Sequence, residues 1–62
     1  MKKILIIEDE ILIQKSLKKI LSKKNHLVDS TSSGRKGIDL IYSNYYDIIV
    51  CDLMLQDISG FD

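Results

Sequence analysis

Proline and tryptophan are absent from this 62-residue chain, cysteine and histidine occur once each, and the formal net charge is zero. Each shortage excludes something. A lone cysteine, Cys51, cannot close an intramolecular disulfide, and with one histidine no cysteine-based zinc cage can form. Nine basic residues offset by nine acidic ones lack the positive excess that grips a phosphate backbone, so nucleic acid is not expected as a direct partner. No apolar run approaches the roughly 20 residues needed to cross a bilayer, so no membrane partner is expected either. Met1, Lys2 and Lys3 lead into Ile4 to Ile7 and then straight into acidic residues, which is too short and too soon acidic for a secretory signal. Cys51 lies in an apolar stretch and reads as a small buried hydrophobe in a reducing, cytoplasmic setting.

What is present alternates between short apolar runs and helical periodicity, with no repeat, linker or low-complexity tract. Ile4-Leu5-Ile6-Ile7 is continuously apolar and mostly β-branched, as expected of a parallel strand covered on both faces. From about Glu10 to Lys23 the apolar residues Ile13, Leu17, Ile20 and Leu21 recur at helical spacing. Lysines lie between them, and this lysine-rich face is expected to be solvated surface. Glu10 in the first turn and Lys23 and Lys24 in the last would complement the helix dipole. Asn25 and His26 make a turn into Leu27 to Thr31, whose polar character suits an edge strand. Ser32 or Ser33 is placed to cap a second helix over about 34–43, with Ile38, Ile41 and Tyr42 expected to face inward. Gly34 and Gly37 weaken that helix on propensity alone. Asp47 to Cys51 forms a second apolar strand, and residues 52–62 read as a loop.

The order strand–helix–strand–helix–strand implies right-handed crossovers and a parallel open sheet of the α/β class. A polar second strand beside two apolar ones favours the order 2-1-3, the way a flavodoxin-like sheet begins. In such sheets ligands bind beyond the carboxyl ends of the strands, where the order reverses. That rim would carry Glu8 and Asp9 after the first strand and Asp52 after the third. Three convergent carboxylates repel one another unless a cation sits between them, and an all-oxygen set with few protein ligands suits Mg²⁺. A carboxylate beside such an ion is equipped to accept a phosphoryl group. Acidic residues also end strands at a polar rim with no ligand at all, and spacing alone does not separate the two.

Lys3-Ile4-Leu5-Ile6-Ile7-Glu8-Asp9-Glu10 resembles the opening strand and acidic pair of response-regulator receiver domains. Tyr46 to Leu55 resembles their third strand and phospho-acceptor aspartate, and Ser59-Gly60-Phe61-Asp62 the loop that follows. The resemblance covers the whole chain and makes residues 1–62 the front half of such a domain, truncated after the third strand. It implies that Asp52 accepts a phosphoryl group from a sensor histidine kinase, and that the chain is a phosphorelay module rather than an enzyme. It further implies that Asp9, Glu8, Asp52 and the backbone carbonyl of Met54 hold Mg²⁺. The family's fourth and fifth strands supply a Ser or Thr hydroxyl and a Lys that contact the phosphoryl group, and neither has a counterpart here. Gln56 stands where the family usually has proline. Aspartate-nucleophile phosphatases of the haloacid dehalogenase type also place Asp after an apolar strand, but need a second Asp where this chain has Met54.

A sheet ending at its third strand exposes an apolar edge, from which self-association by pairing of third strands into a homodimer is expected. The alternative to signalling is therefore a non-catalytic, self-associating half-domain. His26, the tyrosines Tyr42, Tyr45 and Tyr46, and Ser32-Ser33-Gly34 are given structural roles: a surface histidine, a cover for the core, and a cap rather than a nucleotide loop.

Overall fold

The computed structural model describes residues 1–52. They form β1 (Lys3–Ile7), α1 (Ile11–Lys23), β2 (Leu27–Thr31), α2 (Gly34–Ser43) and β3 (Ile48–Cys51). The three strands make one parallel sheet in the order β2-β1-β3, as the sequence pattern predicts. Lys3 to Ile7 pair in register with Leu27 to Thr31 on one side, and Ile4 to Ile7 with Ile48 to Cys51 on the other. A central strand covered on both faces is buried along its length, which is why Ile4 to Ile7 of β1 are all apolar.

β1 is also the core. Ile4, Leu5, Ile6 and Ile7 are each at most 3% exposed, and they are the only buried large hydrophobics among the described residues. Leu5 and Ile7 point to the face covered by α2, where Leu40, Tyr46 and Cys51 pack against them. The strand's alternation sends Ile4 and Ile6 to the opposite face, beneath α1. Burial of one such side chain contributes about 1.5–3 kcal/mol, so a few residues of β1 hold much of this small sheet together.

Local signals set the element ends. Asn25 adopts a left-handed backbone (φ 64°), a conformation that asparagine tolerates better than most residues, and its N–H reaches back to Ser22 to close the end of α1. Ser33 caps α2, its hydroxyl accepting from the Lys36 N–H at 3.2 Å, and Thr31 Oγ1 accepts from the Ser33 N–H at 3.1 Å. Glu10 is the N-cap of α1, one position ahead of the expected first turn, which holds no acidic residue; Lys23 lies in the last turn.

The burial of side chains departs from the sequence pattern in α1, in α2, among the tyrosines and at His26. In α1 the half-buried residues are Gln14, Leu17 and Leu21, whereas Ile13 and Ile20 are about half exposed. In α2 the buried positions are Gly34 and Gly37, Leu40 packs on the core, and Tyr42 is 87% exposed. Gly37 is the reason. A Cβ at that position would lie 2.8 Å from Ile7 Cγ1 and closer still to Ile7 Cδ1. The helix therefore approaches β1 on its glycine side, and the two glycines that lower helix propensity mark its inward face. Of the tyrosines only Tyr46 covers the core, while Tyr45 is 77% exposed. His26 is half-buried instead of free surface, and its Nδ1 accepts from the Lys2 N–H at 3.1 Å, pinning the entry to β1.

Candidate functional site: an acidic cluster at the sheet's carboxyl rim

The register carries Glu8 and Asp52 to neighbouring positions. Ile7 is opposite both Thr31 and Cys51, and the next residues are held by ladder bonds: the Glu8 N–H donates to Thr31 O and the Asp52 N–H to Ile7 O, each at 3.0 Å. Asp9 follows in the short turn before α1. One carboxylate oxygen from each of Glu8, Asp9 and Asp52 lies within 4.8 Å of the others. Asp9 is exposed and the other two are half-buried, so the cluster opens to solvent at the rim.

The turn is shaped by three bonds centred on Glu8. Besides its ladder bond, its Oε2 accepts from the Glu10 N–H at 3.1 Å, and its carbonyl oxygen accepts from Gln14 Nε2 at 2.9 Å. The Glu10 N–H favours the ionised Glu8 carboxyl. Lost hydration and the neighbouring Asp52 and Asp9 carboxyls oppose it and prevail, so the pKa of Glu8 is raised above its ordinary value. Cys51, one residue before Asp52, has its thiol pushed up by burial first and then by the charges of Asp52 and Glu8. The raised pKa favours the neutral thiol, in keeping with a half-buried group packed against the core.

The donor set fits a small hard cation. At the metal–oxygen distance of about 2.1 Å preferred by Mg²⁺, octahedral ligands stand about 3–4.2 Å from one another. The three carboxylate oxygens, within 4.8 Å of one another, lie close to that spacing. A divalent ion would also relieve the mutual repulsion that raises the Glu8 pKa. Glu8, Asp9 and Asp52 are thus brought together as the sequence predicts, while Met54, whose carbonyl was expected to join them, lies outside the described residues, as do Gln56 and the Ser59-to-Asp62 loop.

Two features escaped the sequence reading. Gln14 is a polar residue on the same helical stripe as Leu17 and Leu21, and a polar side chain on an inward stripe is the signal that could have found it. Tyr46 donates from its hydroxyl to Asp29 Oδ2 at 2.7 Å, and Lys3 Nζ sits 5.2 Å from its ring centre. Burial and the Asp29 carboxylate push the Tyr46 phenol up to about 12. This group lies at the opposite end of the sheet from the acidic rim and belongs to the scaffold.

An open parallel sheet ordered 2-1-3, with an acidic pair after its first strand and an aspartate after its third, defines a class, and the chain belongs to it: the family of response regulator receiver domains, whose sequence profile matches residues 4–62. Membership places the chain in two-component signalling. Among individual relatives it is similar to the response regulator ArlR of Staphylococcus aureus, with 42% identity over 62 residues in strains Mu50, MW2 and USA300. The alignment takes in the whole of this chain but 28% of each relative's length. No solved structure gave a significant match. Among the described residues no helix is long and apolar enough to cross a membrane.

Proposed function

We propose that the chain is the phosphate-accepting part of a cytoplasmic response regulator, with Asp52 as the acceptor. The observation that carries this is the meeting of Glu8, Asp9 and Asp52 at one rim, with their oxygens within 4.8 Å. In the reaction so proposed, an Asp52 carboxylate oxygen attacks the phosphorus of a phosphohistidine on a sensor kinase. The phosphorus–nitrogen bond breaks, and an acyl phosphate forms on Asp52. Glu8, Asp9, Asp52 and the Met54 carbonyl are the residues that would hold Mg²⁺, whose charge offsets that of the incoming phosphoryl oxygens. Glu8 and Asp9 keep the rim negative and hydrated. The β1–β3 ladder holds Asp52 at a fixed height beside them.

The deciding experiment incubates the full-length protein with a small acyl phosphate donor, with and without Mg²⁺, and follows phosphorylation. Wild type should gain one Mg²⁺-dependent, base-labile phosphoryl group and Asp52→Asn none; equal labelling of the two would refute Asp52 as acceptor.

A second reading concerns the 62 residues alone, and rests on β3. Ile48, Ile49 and Val50 are 46%, 44% and 37% exposed, because no described residue covers the outer side of that strand. We propose that the isolated chain pairs through this edge with a second copy, as a self-associating half-domain. Sedimentation at micromolar concentration should find a dimer or larger species; a folded monomer would dispose of the idea.

A further inference from the structure

We propose that Gln14 is a positioning residue for the acidic site: its side-chain amide grips the peptide that joins Glu8 to Asp9 and so sets the spacing of two of the three carboxylates. The proposal rests on the reading of that site as a cation site, and adds to it a residue outside the carboxylate set.

The geometry is specific. Gln14 Nε2 donates to the Glu8 carbonyl oxygen at 2.9 Å, in a half-buried position at the top of the inward stripe of α1. The carbonyl of Glu8 and the N–H of Asp9 belong to one planar unit, so holding the oxygen fixes the rotation of the whole peptide. On its other side Glu8 is already tied through its N–H to Thr31 O, and its carboxylate is tied to the Glu10 N–H. The Gln14 bond therefore adds a restraint to this turn, and it acts on the link to Asp9. Asp9 itself is exposed, so its place relative to Glu8 and Asp52 is set by its backbone more than by packing. Gln14 is in turn anchored, since its own N–H donates to Glu10 O at 2.9 Å in the first turn of the helix. A bond from a helix side chain to a turn carbonyl transmits the rigidity of α1 to the site. Such outer supports typically change metal affinity by tenfold or more when removed.

The test uses three variants of the full-length protein. Gln14→Met keeps length and helix propensity but has no donor, Gln14→Lys restores a donor on a long arm, and Tyr46→Phe removes a charge-assisted hydrogen bond at the far end of the sheet. Mg²⁺ affinity is measured by calorimetry, and the order of the Asp9 backbone by nuclear magnetic relaxation in metal-free protein. Gln14→Met should weaken Mg²⁺ binding roughly tenfold and loosen the Asp9 amide. Gln14→Lys should recover most of the affinity, and Tyr46→Phe should lower stability with affinity unchanged. Wild-type affinity in Gln14→Met, or a loss no larger than in Tyr46→Phe, would overturn the proposal. If wild type takes up no Mg²⁺, the cation reading fails, while relaxation at Asp9 still decides the positional claim: an Asp9 amide as ordered in Gln14→Met as in wild type refutes it.

Discussion

β1 and β3 are nearly the same kind of sequence with opposite surroundings. Ile4-Leu5-Ile6-Ile7 and Ile48-Ile49-Val50-Cys51 are both unbroken apolar runs, yet the first is at most 3% exposed and the three aliphatic residues of the second are 37–46% exposed. The difference is position in the sheet. β1 has a strand on each side and a helix over each face, whereas β3 has β1 on one side and no described residue on the other. Hydrophobicity therefore states what a strand needs covered, and the arrangement of neighbours decides whether it is covered. For β3 the unmet need is itself information, because an exposed apolar edge is a place for another strand.

The contrast can be broken most severely at its buried end. Leu5→Ala should cost about 2–5 kcal/mol in denaturant unfolding, through lost burial and the cavity left against Leu40 and Tyr46. That is enough to unfold a domain this small. In protein dilute enough to be monomeric, Ile49→Ala should cost well under half as much, because its side chain is already 44% exposed. Ile49→Lys should leave the far-ultraviolet circular dichroism of the 62-residue chain intact and abolish its self-association in sedimentation. Equal losses at Leu5 and Ile49 would show that β3 is covered in solution.

A smaller effect is expected where α2 meets β1. Gly37→Ala forces a methyl group into Ile7 and should destabilise by about 1–3 kcal/mol despite alanine's better helix propensity. Combining it with Ile7→Val should recover part of the loss, and a stabilised Gly37→Ala single variant would contradict the close approach.

The mildest test concerns Tyr46. Its phenol is pushed up to about 12 from an ordinary value of 10.0. Between those values the unfolded chain loses a proton that the folded chain keeps, so the folded state binds more protons and stability falls as pH rises. Below pH 10 the contribution of this hydrogen bond is fully present. Tyr46→Phe should lower stability at neutral pH by about 0.5–1.5 kcal/mol and flatten the decline between pH 10 and 12. Phenolate absorbance from Tyr46 near pH 10, read in a folded variant with Tyr42→Phe and Tyr45→Phe, would contradict the Asp29 bond.

Much of this was legible in the chain before any coordinates. Alternating apolar runs and helical stripes gave five elements in the right order with ends within a residue or two, since periodicity is a local property. The polar second strand pointed to the edge and so to the order 2-1-3. The site followed from the same logic, because residues just past parallel strands share a rim by construction. The stumbles came at Gly37, Ile13, Tyr42 and Gln14, where facing direction depends on how closely two elements approach.

Sequence by itself determined the alternation of strands and helices, the identity of the acidic residues and their place beyond strand ends, because each depends on short-range spacing along one chain. Tertiary structure alone decided that α2 would lie on its glycine side against Ile7 and that Gln14 would hold the Glu8 carbonyl. Those outcomes depend on how closely separate elements approach one another, which packing sets and local pattern does not encode.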